Sequence, residues 1–195
     1  MKRLSRRVGM VLAALALGLS GLTPSASATT GDLGGMMLAE YCQAMHFDGA
    51  VDSHNGQSNP WFCYRNNPRT FVPLDLFGAC RWQFFDLVGA GFKVTYLGPG
   101  GRCWALNATD YSSPSDLSAL PGYCRSLGYR DVHLAYRNVA GWRCIGYDNV
   151  VHPLDLHAAC RWVNSGLAAR GYSLVSYFNH YGDTFKIRCL SMKHT

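Results

Sequence analysis

Asp75 and Asp155 are the acidic residues that recur in one setting, Pro-Leu-Asp-Leu, each ahead of a stretch with helical periodicity. A carboxylate can act as general acid or base, but neither Asp has a recurring carboxylate or histidine with which to share the two roles. The setting predicts a helix cap instead. An Asp there accepts the free N–H groups of the first turn and suits its positive end. Leu74 and Leu154, one position earlier, are placed to staple onto that turn. The seven histidines (His46, His54, His133, His152, His157, His180 and His194) occupy no repeated position. His152 and His157, five apart, are out of phase for one helix face. A Ser-His-Asp site would therefore exist once only, and Gly98-Pro99-Gly100-Gly101 lacks the Lys-Ser/Thr helix of a phosphate loop. No catalytic residue and no cofactor are assigned.

The eight cysteines carry the other chemistry. Cys42, Cys63, Cys80 and Cys103 form one set, and Cys124, Cys144, Cys160 and Cys189 form a second. Zinc would want close Cys pairs or repeated histidines, and the chain has neither, so no metal site is assigned. Disulfides fit an even Cys count behind an export signal. The surroundings of the two sets match in order. Tyr41-Cys42 answers Tyr123-Cys124, and Trp61-x-Cys63 answers Trp142-x-Cys144. Leu74-Asp75-Leu76 and Ala79-Cys80-Arg81-Trp82 answer Leu154-Asp155-Leu156 and Ala159-Cys160-Arg161-Trp162. Arg102-Cys103 answers Arg188-Cys189 after a loop six residues longer. A period near 80 residues reads as tandem globular units.

These motifs need elements to hold them. Leu38–Met45 and Pro121–Leu127 read as short helices, and Trp61–Arg65 and Trp142–Tyr147 as strands. Leu76, Ala79, Cys80, Gln83 and Leu87 fall at helical spacing, as do Leu156, Ala159, Cys160, Val163 and Leu167. Gly91 and Gly171 end those helices, and alternating segments Phe92–Leu97 and Tyr172–Phe178 precede final strands at Cys103 and Cys189. The expected fold is α+β, two tandem copies of a small disulfide-stapled helix–strand–helix–hairpin domain. The expected boundaries are residues 36–105 and 120–192, with a Ser/Asp/Pro-rich linker at 106–119 and a frayed tail at Thr29–Gly35. The element order suggests helix-to-helix (Cys42–Cys80, Cys124–Cys160) and strand-to-strand (Cys63–Cys103, Cys144–Cys189) bridges.

On its helix, a Trp two residues past the buried Cys points about 200° away from it. Trp82 and Trp162 are thus candidates for an open aromatic platform beside Arg81 and Arg161, suited to a sugar ring or a peptide. Trp61 and Trp142 lie on the strand face of their Cys and read as packing on the disulfide. Tyr177 and Tyr181, within the longer second loop, are a further candidate contact, or a flap over their own domain.

Lys2, Arg3, Arg6 and Arg7, a short apolar run from Met10 to Leu22 and Ala26-Ser27-Ala28 are the parts of a secretory signal over residues 1–28. The net charge of +6 falls to +2 once those residues are set aside, since they hold four of the 18 Lys and Arg and none of the 12 Asp and Glu. That is too little for nucleic-acid binding by bulk charge. No other segment is long and apolar enough to span a bilayer.

The ordered motifs Tyr-Cys, Trp-x-Cys, Leu-Asp-Leu-x-x-Ala-Cys-Arg-Trp and a late Arg-Cys resemble a tandem four-cysteine repeat of secreted actinobacterial proteins of unknown function. The resemblance implies an extracellular module and brings no activity or site residues with it. Leu190 stands where the first copy has Trp104. The sequence thus favours a secreted, non-enzymatic binding module with a cell-wall or environmental glycan as its partner. An extracellular protein is the alternative partner, and a secreted hydrolase with its site between the copies is a third reading.

Overall fold

A computed structural model describes residues 29–53, 59–98 and 101–195. The expected signal segment 1–28 lies outside the described residues, as do His54 and the Pro99-Gly100 pair. The chain is mixed α/β and mostly strand, with six α-helices and four disulfides among the described residues. Strand β1 (Thr29–Gly35) leads into helix α1 (Leu38–Ala44), whose Leu38 and Cys42 are buried one turn apart. A three-stranded antiparallel sheet follows, β2 (Gly49–Asp52), β3 (Trp61–Asn66) and β4 (Arg69–Pro73), with β3 in the middle.

Helix α2 (Leu76–Gln83) begins at Asp75, whose side chain accepts the Gly78 N–H at 3.0 Å. The Leu76, Ala79, Cys80 and Gln83 stripe is buried as its spacing requires. The helix does not run on to Leu87. It breaks at Phe84 (φ −112°, ψ 37°), and one further turn, α3 (Phe85–Gly89), completes the segment. Strand β5 (Val94–Leu97) then pairs with β6 (Arg102–Asp116).

The second half repeats this order: α4 (Leu120–Ser126), the sheet β7 (Asp131–Leu134), β8 (Trp142–Ile145) and β9 (Val151–Pro153), then α5 (Leu156–Val163), α6 (Ser165–Ala168), β10 (Ser173–Tyr177) and β11 (Arg188–His194). Asp155 caps α5 by accepting the His157 and Ala158 N–H groups at 2.8 and 3.0 Å. Asn164 (φ −110°, ψ 37°) breaks that helix as Phe84 breaks α2.

The disulfides differ from the expected pairing. They join Cys42 to Cys63, Cys80 to Cys103, Cys124 to Cys144 and Cys160 to Cys189, a helix to a strand each time. The reason is the division of strands between sheets. Cys63 lies on the central strand of the small sheet packed by α1, whereas Cys103 lies on the larger sheet packed by α2. Strand-to-strand bridges would have to cross from one sheet to the other. Each observed bridge closes 20 to 29 residues, worth about 3 kcal/mol in the chain-entropy treatment.

Residues 106–119 are not a linker. Strand β6 runs unbroken from Arg102 to Asp116 and belongs to both halves. Its first part pairs with β5 and β1, its second part with β11, and β11 pairs in turn with β10. Within this sheet Cys103 opposes Gly34 and Arg102 opposes Gly35, while Cys189 opposes Ser115 and Arg188 opposes Asp116. Asp110, at φ +51°, sits where the β6–β11 register slips between Thr109 and Ser112, the bend expected of a bulge. Thr29–Gly35 is likewise strand rather than frayed tail, because β6 offers it a partner. The polar composition of 106–119 reads as a linker, but an antiparallel strand with one solvated face carries such residues readily, and residues 106–116 lie in one.

Two buried clusters form the core. One lies in the first half yet takes Val175, Leu190 and Met192 from the second. The other surrounds Cys160 and Cys189 and packs Met37 from the first half against it. The two halves of the chain are therefore joined through both a sheet and a core.

Candidate ligand cleft

Trp82 and Trp162 stand off the buried face of their helices, as the angular argument requires. Each indole leans on the Tyr that precedes the first Cys of its copy: Trp82 on Tyr41 at 5.9 Å and 60°, Trp162 on Tyr123 at 6.0 Å and 56°. Trp82 is half-buried and Trp162 is 42% exposed. What differs is the residue before the Tyr. Gly122 lets Trp162 close over α4, since a Cβ there would stand 3.2 Å from the ring. Glu40 occupies the matching place beside Trp82.

Trp82 lines a cleft of about 460 Å³ between the two halves. Its first-half wall includes Met37, Glu40 and Phe85, and its second-half wall includes Trp142, Arg143, Leu154 and His157. The surface is largely apolar with charges at a few points, the usual makeup of a small-ligand site. Phe85 is 66% exposed at this cleft. Glu40 Oε1 accepts the Tyr181 hydroxyl at 2.5 Å, while its Oε2 is buried without a hydrogen-bond partner among the described residues. Burial and the Glu40 carboxylate hold the Tyr181 phenol above its ordinary pKa. Arg143 donates through Nη1 to the Trp142 carbonyl at 2.8 Å and also to the Ala140 carbonyl.

The floor of the seam is set by His157. Its Nε2–H donates to the Gln83 carbonyl at 2.9 Å, so Nδ1 is the acceptor for the Ser176 N–H and hydroxyl, both at 2.9 Å. Desolvation holds its pKa below the ordinary value, against the opposing pull of Asp155. The ring also meets Phe84 at 5.4 Å. A Ser–His contact of this kind suggests an activated hydroxyl. Ser176 lines the cleft but is fully buried, and a backbone carbonyl stands where an orienting carboxylate would be. Among the described residues no three His, Cys, Asp or Glu side chains gather as metal ligands.

Other residues singled out from the sequence are engaged within the chain. Arg161 pairs with Asp86 across the seam at 2.7 Å and with Asp155 at 3.6 Å, which removes it from a free platform. Tyr177 takes a hydrogen bond from Arg102 at 2.9 Å and donates to Asn179 at 2.7 Å. Arg102 in turn ion-pairs with Asp32. With Tyr181 on Glu40, the longer second-half loop is thus a clasp over the first half. Arg81 is exposed and forms no ion pair among the described residues. Residue types alone gave no sign of Glu40, Phe85 or Arg143, because each becomes part of a site only when the halves meet. The one signal for Glu40 was its place beside a Tyr-Cys pair whose second copy has Gly122. No protein-family model matches this chain, and no curated protein or solved structure matches it.

Proposed function

We propose that the protein is a secreted, non-enzymatic binding module of two tandem copies that share strand β6, and that its ligand lies in the cleft between them. The carrying observation is the half-buried Trp82 indole beside Glu40 and Arg143 in one cleft. A sugar ring presents an apolar C–H face to an indole and a rim of hydroxyls to charged side chains, so a cell-wall or environmental glycan is the ligand class favoured. The disulfides fit an oxidising, extracellular setting.

The test is retention on purified cell wall and on insoluble polysaccharides, compared between the native protein and Trp82→Ala. Binding that Trp82→Ala lowers at least about tenfold, the loss of one good stacking contact, supports the reading, and equal retention of both refutes it. One observation favours a protein ligand as the second reading: Phe85, largely exposed beside an apolar wall, resembles the aromatic anchors of protein interfaces. Failure on every glycan, with saturable binding of a purified extracellular protein that Phe85→Ala abolishes, would select it.

A further inference from the structure

The seam shows which chemistry one copy presents to its neighbour. From the second half, His157 and Arg161 lie one turn apart on α5 and grip the Gln83–Asp86 segment. His157 donates to the Gln83 carbonyl and packs on the Phe84 ring, and Arg161 pairs with Asp86. Ser176, on the neighbouring strand, holds the imidazole.

The matching positions of the first copy, 80 residues earlier, are Phe77, Arg81 and Tyr96. There they hold no such segment among the described residues. Phe77 is 55% exposed, and its ring meets Tyr96 edge-on at 5.8 Å and 79°. Arg81 stands one turn along the same helix face, exposed and without an ion-pair partner among the described residues.

We propose that Phe77, Arg81 and Tyr96 form a second docking face, which takes a protein segment bearing an aromatic ring and a carboxylate two residues apart. The ring packs on the Phe77–Tyr96 pair and the carboxylate meets the Arg81 fork. This rests on the two-copy reading and is independent of what the Trp82 cleft binds. A second copy of this chain does not fit. Its own Gln83–Asp86 segment is already held by Arg161 and His157, and the corresponding second-half residues, Val163, Asn164 and Gly166, offer neither ring nor carboxylate. The occupant is therefore a foreign acidic, aromatic segment.

The experiment is a chemical-shift titration of the intact, disulfide-bonded protein with a capped pentapeptide of the sequence Gln-Phe-Phe-Asp-Leu, which copies residues 83–87. A control peptide carries Asn in place of Asp. The expected result is saturable shifts at Phe77, Arg81 and Tyr96, about tenfold weaker for the Asn peptide. Arg81→Glu should abolish them while Trp82→Ala leaves them intact. No saturable shift, shifts confined to the Trp82 cleft or the His157–Arg161 seam, or unchanged binding by Arg81→Glu would each overturn the proposal.

Discussion

The carbonyl oxygen of Phe178 lies 2.4 Å from where a Cβ on Gly34 would stand. Gly34 also adopts φ +92°, and the next residue, Gly35, donates its N–H to that same oxygen at 2.8 Å. The strand that opens the first half and the loop that closes the second thus meet backbone to backbone, and only a residue without a side chain permits it. Gly34→Ala should cost about 3 kcal/mol, from the positive φ and the overpacked contact together. Gly98→Ala is the control, with a similar φ of +78° and open space around it, and should cost about 1 kcal/mol. Denaturant midpoints of the two variants check the difference.

The seam should also respond to acid. His157 is held neutral, with Nε2–H donating to Gln83 and Nδ1 accepting from Ser176, so a second ring proton would face an N–H. Its folded pKa lies below that of the unfolded chain, with Asp155, Asp86 and Arg161 as the charged groups acting on it. The unfolded chain therefore takes up the proton first as pH falls. The stability contributed is complete above about pH 6.5 and declines below it, by up to about 1.4 kcal/mol per pH unit until the folded pKa is reached. Urea midpoints between pH 7.5 and 5.5 should fall for the native protein and flatten for His157→Gln.

The two caps offer a matched comparison. Asp75 accepts one N–H, whereas Asp155 accepts two and lies 3.6 Å from Arg161. Asp75→Ala should cost about 1 kcal/mol and Asp155→Ala at least as much, both within the range of cap removal. Thermal unfolding of the two variants measures this.

Non-reducing peptide mapping should recover Cys42 with Cys63, Cys80 with Cys103, Cys124 with Cys144 and Cys160 with Cys189. Replacing Cys124 and Cys144 together by Ser should lower stability by about 3 kcal/mol, as read from denaturant unfolding.

Local order was legible in the sequence where a side chain answers to its immediate neighbours. Asp75 and Asp155 cap helices because Pro-Leu-Asp precedes an apolar stripe, and Trp82 projects away from Cys80 because two residues on a helix fix that angle. Long-range pairing was not legible. The strand Arg102–Asp116 carries Asn, Asp, Ser and Pro that any local scale reads as loop, and it exists because β1 and β11 lie beside it. Disulfide partners depend on which sheet each strand joins, and strands such as Gly49–Asp52 and Val151–Pro153 are too short to announce themselves. The site had the same fate. Trp82 was visible as a projecting aromatic, whereas Glu40, Phe85 and Arg143 acquire meaning only across the seam. Arg161, Tyr177 and Tyr181 belong to the seam itself.

The measurement closest to the central claim is hydroxyl-radical footprinting of the native protein with and without solubilised cell-wall fragments. Oxidation of Trp82 should fall severalfold on saturation while that of Trp162, outside the cleft, stays unchanged. Protection of Trp162 with Trp82 unaffected, or binding that leaves both indoles equally reactive, would contradict a ligand seated between the two halves.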